Sequence, residues 1–149
     1  MRRTMAIAVS ILLCGGMASA AESPVVAHGI AIVVGRESPV KTITRDTLRE
    51  LYLRRQRLWP DGAPVIPINL PPSSGVRDDF SRLVLGRSTQ DMVSYWNSRF
   101  FEGLVPPQVL QSSAAIRGYL AAEPGAIAYM PVADVDDSCR TLLVLEALR

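Results

Sequence analysis

Residues 65–86 read VIPINLPPSSGVRDDFSRLVLG. Val65 to Ile68 is a short apolar, β-branched run and predicts a strand. Pro71-Pro72 and Ser73-Ser74-Gly75 interrupt it. Val76, Phe80, Leu83 and Val84 then recur at i, i+4, i+7 and i+8, which lines one face of a helix. Gly86 supplies the stop, because glycine accepts the left-handed conformation that closes a helix. A strand that feeds a helix through a Ser-Gly turn belongs to an α/β domain rather than to a bundle or a barrel. Pro64 and Pro67 argue against a central place in the sheet for this strand, since proline cannot donate to a ladder.

The alternation continues on both sides. Upstream, Gly29 to Val34 is a compact β-branched run that predicts a buried strand. Thr44 is placed to cap a helix with Asp46 in its positive first turn, and Leu48, Leu51 and Tyr52 form its apolar face. Pro60-Asp61-Gly62 closes that segment as a turn. Downstream, Ser88 with Asp91 has the spacing of a capping box, opening a helix that carries Met92, Tyr95, Trp96 and Phe100 on one side. Pro106-Pro107 is a stiff connector. Ser112 or Ser113 starts a fourth helix, with Ile116, Tyr119 and Leu120 facing inward, and Pro124-Gly125 ends it. Ala126–Met130 and Leu142–Leu145 predict two more strands. With no internal repeat, heptad run or long linker, the reading is one α/β domain: a mixed sheet flanked by helices.

The first twenty residues stand apart as MRRTMAIAVSILLCGGMASA. Arg2 and Arg3 form a basic start, Met5 to Leu13 an apolar stretch, and Ala18-Ser19-Ala20 a small-residue cleavage pattern. These features predict a signal peptide over residues 1–20, with the domain over 21–149 and a periplasmic location. The apolar stretch falls short of the roughly 18 to 20 residues that a membrane span requires. Leu13 stands where a lipoprotein signal needs a small residue before Cys14.

The chain has 16 basic and 14 acidic residues; without Arg2 and Arg3 the remainder carries 14 of each. A formally neutral domain offers no bulk charge for nucleic acid or for a polybasic membrane surface. At 48% hydrophobic and 20% charged, the chain has the composition of a folded protein. Cys139 is left alone after cleavage and cannot form an internal disulfide. It reads as a half-buried small side chain, with an intermolecular bridge as the alternative.

Chemistry is sparsely supplied. A zinc site needs three or four converging Cys, His or carboxylate ligands, and residues 21–149 hold one His and one Cys. No metal or cofactor is expected. A triad would have to recruit His28, ahead of the first strand and without a nucleophile elbow. Adjacent Asp78 and Asp79 point about 100° apart on a helix and cannot face each other as an acid/base pair. Asp136-Asp137 reads as a solvated turn. Arg45, Arg49, Arg54, Arg55 and Arg57 read as the outer face of an amphipathic helix, with a docking surface as the alternative.

The segment from Ser73 to Arg77 is the most informative. A helix start presents unpaired N–H groups and a partial positive charge, which favour anions. Gly75 lets a ligand approach the backbone, Ser73 and Ser74 add hydroxyls, and Arg77 can pair with an oxyanion. The same string also fits a plain Ser cap with Asp78 and Asp79 neutralising the dipole. Composition does not choose between the two.

Several segments together resemble one family. Ile43 to Tyr52, followed by Leu58-Trp59-Pro60-Asp61-Gly62, is similar to the helix-to-tryptophan stretch of the phosphate-binding proteins of ABC transporters. Ser74-Gly75-Val76-Arg77 with Phe80 is similar to their phosphate-cradling helix start. Tyr95-Trp96-Asn97, Phe101-Glu102-Gly103 and Pro124-Gly125-Ala126-Ile127-Ala128-Tyr129 resemble later segments of small single-domain relatives. The resemblance spans most of residues 30–133. It implies a type 2 periplasmic binding protein-like domain, exported and non-enzymatic, recognising phosphate or a related small oxyanion.

By position, Ser74, Gly75 and Val76 match the family's Ser-Gly-Thr, so the implied ligand-binding residues are Ser73, Ser74, Gly75, Val76 and Arg77. Departures are also visible. Val76 replaces the Thr, Leu70 and Pro72 stand where a ligand-binding Arg and Asp would precede the Ser, Leu53-Arg54 replaces Gly-Lys, and Ala128 replaces a Gly. Each charge-assisted hydrogen bond lost removes about 1.5–3 kcal/mol. A degenerate scaffold that docks a protein partner in the cell envelope is therefore the alternative function.

Overall fold

The computed structural model describes residues 29–146. The predicted signal peptide, Cys14 and His28 lie outside the described residues. Five strands form one mixed sheet in the order β3-β2-β4-β1-β5. They are β1 (Gly29–Gly35), β2 (Ile66–Asn69), β3 (Gln108–Val109), β4 (Ala126–Pro131) and β5 (Cys139–Glu146). β1 runs antiparallel to both β4 and β5, whereas β2 runs parallel to β3 and β4. The α/β expectation is met.

Helices α1 (Arg45–Tyr52), α2 (Gly75–Phe80), α3 (Thr89–Phe100) and α4 (Ser113–Ala122) connect the strands. Their starts follow the sequence signals. Thr44 Oγ1 accepts from Thr47 N at 3.1 Å, Ser88 and Asp91 form a reciprocal capping box, and Ser112 rather than Ser113 caps α4. α4 packs on β1 and β4. Its approach is close enough that a Cβ on Gly35 would collide with the Leu120 carbonyl oxygen. β1 and β4 sit at the centre of the sheet, where both faces are covered, and Ile32, Val33, Val34, Ile127, Ala128 and Tyr129 are fully buried. That is why these runs are continuously apolar instead of alternating.

The structure departs from several local expectations. β2 is an interior strand despite Pro67. Alternate peptide groups of a strand point to opposite neighbours, and Ile66 N donates to Gly125 O while Leu110 N donates to Asn69 O. Pro67 therefore faces the β3 side, where pairing begins only at Ile68, so its missing N–H interrupts nothing. Next, the helix expected to run on to Val84 changes pitch: Ser81–Leu85 is a π-helical turn closed by Gly86 at φ 70°. β3 was not predicted and follows Pro106-Pro107 directly. Finally, β5 extends well beyond Leu142–Leu145. On α3 only Met92 is buried, Tyr95 and Trp96 are half-buried, and Phe100 is exposed.

Candidate functional site

The site begins with an aromatic platform. Phe80 stacks on Tyr129 with ring centroids 3.9 Å apart, and Tyr52 packs against both rings. The Tyr52 hydroxyl donates to Ile68 O at 2.8 Å, and the Tyr129 hydroxyl donates to Asn69 Oδ1 at 3.1 Å while accepting from Leu70 N at 3.4 Å. Burial pushes both phenols well above their ordinary range. They act as neutral struts that fix the end of β2 and hence the turn leading to α2. Sequence reading assigned Tyr52 and Tyr129 to apolar segments and missed this polar role.

From that turn the chain rises into α2. Ser74 occupies the cap position, yet its side chain makes no capping hydrogen bond. The plain Ser-cap reading is thus contradicted: Ser74 N donates to Pro71 O, and Ser74 O receives Arg77 N and Asp78 N, while the hydroxyl stays uncommitted. Among the described residues, the N–H groups of Gly75 and Val76 have no partner. Gly75 is exposed, and no heavy atom lies within 4 Å of where its Cβ would be.

Asp78 borders this corner, but both of its carboxylate oxygens are engaged by other groups. Asp78 Oδ1 accepts the backbone N–H of Thr89 at 2.8 Å, and Oδ2 accepts Arg82 Nε at 2.7 Å. The Thr89 N–H and the Arg82 guanidinium hold the Asp78 carboxyl below the usual carboxylate range. Arg77 is partly committed as well. Its Nη1 donates to Leu70 O at 2.8 Å, so the guanidinium braces the β2–α2 turn and brings only its remaining donors to the pocket. Ser73, Ser74, Gly75, Arg77 and the Asp78 carboxylate line one open pocket of about 360 Å³, walled on the other side by Thr89, Gln90 and Trp96 of α3. Val76 is half-buried against the core and does not line it.

A larger groove, about 510 Å³, lies elsewhere, between Pro39–Thr44 and Trp59–Asp61. It lies at the start of α1, where the Thr44 hydroxyl is taken by the Thr47 N–H, and Lys41 also lines it. Among the described residues no group of three or more His, Cys, Asp or Glu side chains could hold a metal ion, and no helix is long and apolar enough to cross a membrane. Arg54 is not on a solvated face, as its neighbours are. At φ 59° its chain turns inward and Nη1 donates to Val65 O at 3.1 Å. Cys139 is half-buried, and burial raises its thiol, which leaves less of the reactive thiolate. Asp136 pairs with Arg117 at 2.9 Å in an exposed turn.

A family model for the PBP superfamily domain matches residues 12–142. The chain belongs to that family. Among solved structures, this PBP-superfamily chain is similar to a phosphate ABC transporter substrate-binding protein with bound phosphate from Clostridium perfringens, at 24% identity and a TM-score of 0.63 over 76% of this chain and 44% of that one. It is also similar to an ABC-type phosphate transport receptor from Vibrio cholerae, at 22% identity and a TM-score of 0.62 over 76% and 45%. PstS from Borrelia burgdorferi matches at 16% identity and a TM-score of 0.58 over 76% and 46%. The PBP-superfamily chain spans less than half the length of these proteins. At such identities the shared feature is the fold.

Proposed function

We propose that this chain is an exported solute-binding domain that holds phosphate or a related small oxyanion in the pocket at Ser73, Ser74, Gly75 and Arg77, without catalysing a reaction. One observation carries the reading. The start of α2 lacks a side-chain cap, the Gly75 and Val76 amides and the Ser74 hydroxyl have no partner among the described residues, and the space beside Gly75 is open. Three donors of this kind, with the partial positive charge of the helix start, favour a small anion over a neutral solute. The names of the similar structures agree with that chemistry, and residues 1–20 agree with delivery to the periplasm. Val76 stands where the family's Thr would add a hydroxyl to the contact set, so the proposed affinity is modest.

A thermal-shift titration with phosphate, arsenate and sulfate at fixed ionic strength tests the reading, because a ligand that favours the folded state raises the midpoint with concentration. The expected result is a saturable rise that Gly75→Val abolishes. No rise with any of the three ions overturns it. Binding of an envelope protein that survives Gly75→Val would leave only the docking alternative.

A further inference from the structure

Behind the wall of the open pocket lies a second, much smaller cavity of about 20 Å³, between β2, the π-helical turn and α3. Four polar side chains line it: Asn69, Arg77, Ser81 and Thr89. Asn69 and Ser81 are only 8% and 4% exposed. Asn69 gives its amide oxygen to Tyr129, and its Nδ2 donors have no partner among the described residues. The Thr89 Oγ1 is buried without a partner at hydrogen-bonding geometry, beside the Asp78 carboxylate that takes the Thr89 backbone N–H. Buried polar atoms are costly unless paired. A water needs roughly 10–15 Å³ and two to four polar partners, and a tetrahedral oxyanion needs far more room.

We infer that this cavity holds a single structural water bridging Asn69 Nδ2, Ser81 Oγ and Thr89 Oγ1. The π-helical turn then has a physical role. The change in pitch at Ser81 sets its hydroxyl into a gap that the close-packed face of a regular helix would fill. The bridge ties the start of α3 to the end of β2. It stands whether or not an anion binds in front of it.

The sign of one substitution tests this. With the bridge, Thr89→Val loses a hydrogen bond, and the midpoint Tm falls by about 3–6 °C. Were Thr89 Oγ1 unsatisfied, the near-isosteric valine would remove a buried polar atom and Tm would rise, which overturns the inference. Ser81→Ala should act in the same direction, and the double variant should lose less than the two singles together, because both depend on one water. Strict additivity counts against a shared water. In the unaltered protein, the Asn69 side-chain amide should show magnetisation transfer from a long-lived water by NMR; a clear absence of that transfer also overturns it.

Discussion

Asp78 Oδ1 receives the backbone N–H of Thr89 at 2.8 Å, so the carboxylate nearest the open helix start caps the next helix instead of its own. The same side chain takes Arg82 Nε through its other oxygen. Both interactions favour the charged form and draw the folded-state titration below the ordinary carboxylate range. A lowered folded-state value stabilises fully above the unfolded one, and the effect disappears as pH falls through the folded one. Asp78→Ala should therefore lower Tm near neutral pH, and the gap from the unaltered protein should close as the pH approaches about 2. Thermal melts across pH 2–7 check this. A gap that persists at the acid end would assign the effect to packing.

Tyr52 is a second lever, acting at the platform beneath the site. Its hydroxyl reaches Ile68 O at 2.8 Å and Ile127 O at 3.3 Å, joining β2 to β4 from below. Tyr52→Phe keeps the ring contacts with Phe80 and Tyr129 and removes only those bonds. It should cost about 1–2 kcal/mol in chemical denaturation, the usual range when a buried partner is deleted.

Two glycines should respond in opposite ways. Gly35→Ala drives a methyl into the Leu120 carbonyl on α4 and should destabilise by about 1–3 kcal/mol or more. Gly75→Ala meets no atom and lies in ordinary helical backbone, so it should leave stability unchanged or raise it by up to about 1 kcal/mol. Equal losses at both positions would mean that the Gly75 corner is less open than described.

Arg77 links stability and binding. Arg77→Met keeps much of the apolar stem but releases Leu70 O and removes charge from the pocket. Expected outcomes are a stability loss of about 1–2 kcal/mol and at least a tenfold weaker phosphate interaction. Arg77→Lys should recover part of the charge effect without the planar geometry.

Much of the fold was legible because its signals are local. Thr44, Ser88 and Ser112 sit at helix starts with short side chains that find an amide three residues on, and β1 and β4 are apolar throughout because both of their faces are covered. Pro67 misled because strand tolerance for proline depends on which neighbour its peptide group faces, which only the pairing register reveals. β3 is two residues long and leaves no periodicity to read. The π-helical turn, Ser81-Arg82-Leu83-Val84-Leu85, has no sequence mark that sets it apart from an ordinary helical turn.

At the site, Ser73, Ser74, Gly75 and Arg77 were brought to one pocket as the string suggested, whereas Val76 turned inward. The roles of Leu70, Thr89 and Trp96 were not readable. They arise from contacts between β2, α2 and α3 across the fold, and no spacing rule encodes them.

The most direct measurement is a phosphate titration of isotope-labelled protein followed through its backbone amide resonances, at constant ionic strength with chloride as the control. The account predicts that the Gly75 and Val76 amide protons move downfield and saturate in the millimolar range or below, while chloride leaves them unmoved. Resonances at Gly75 and Val76 that stay fixed, or shifts confined to the Lys41–Trp59 groove, would contradict it.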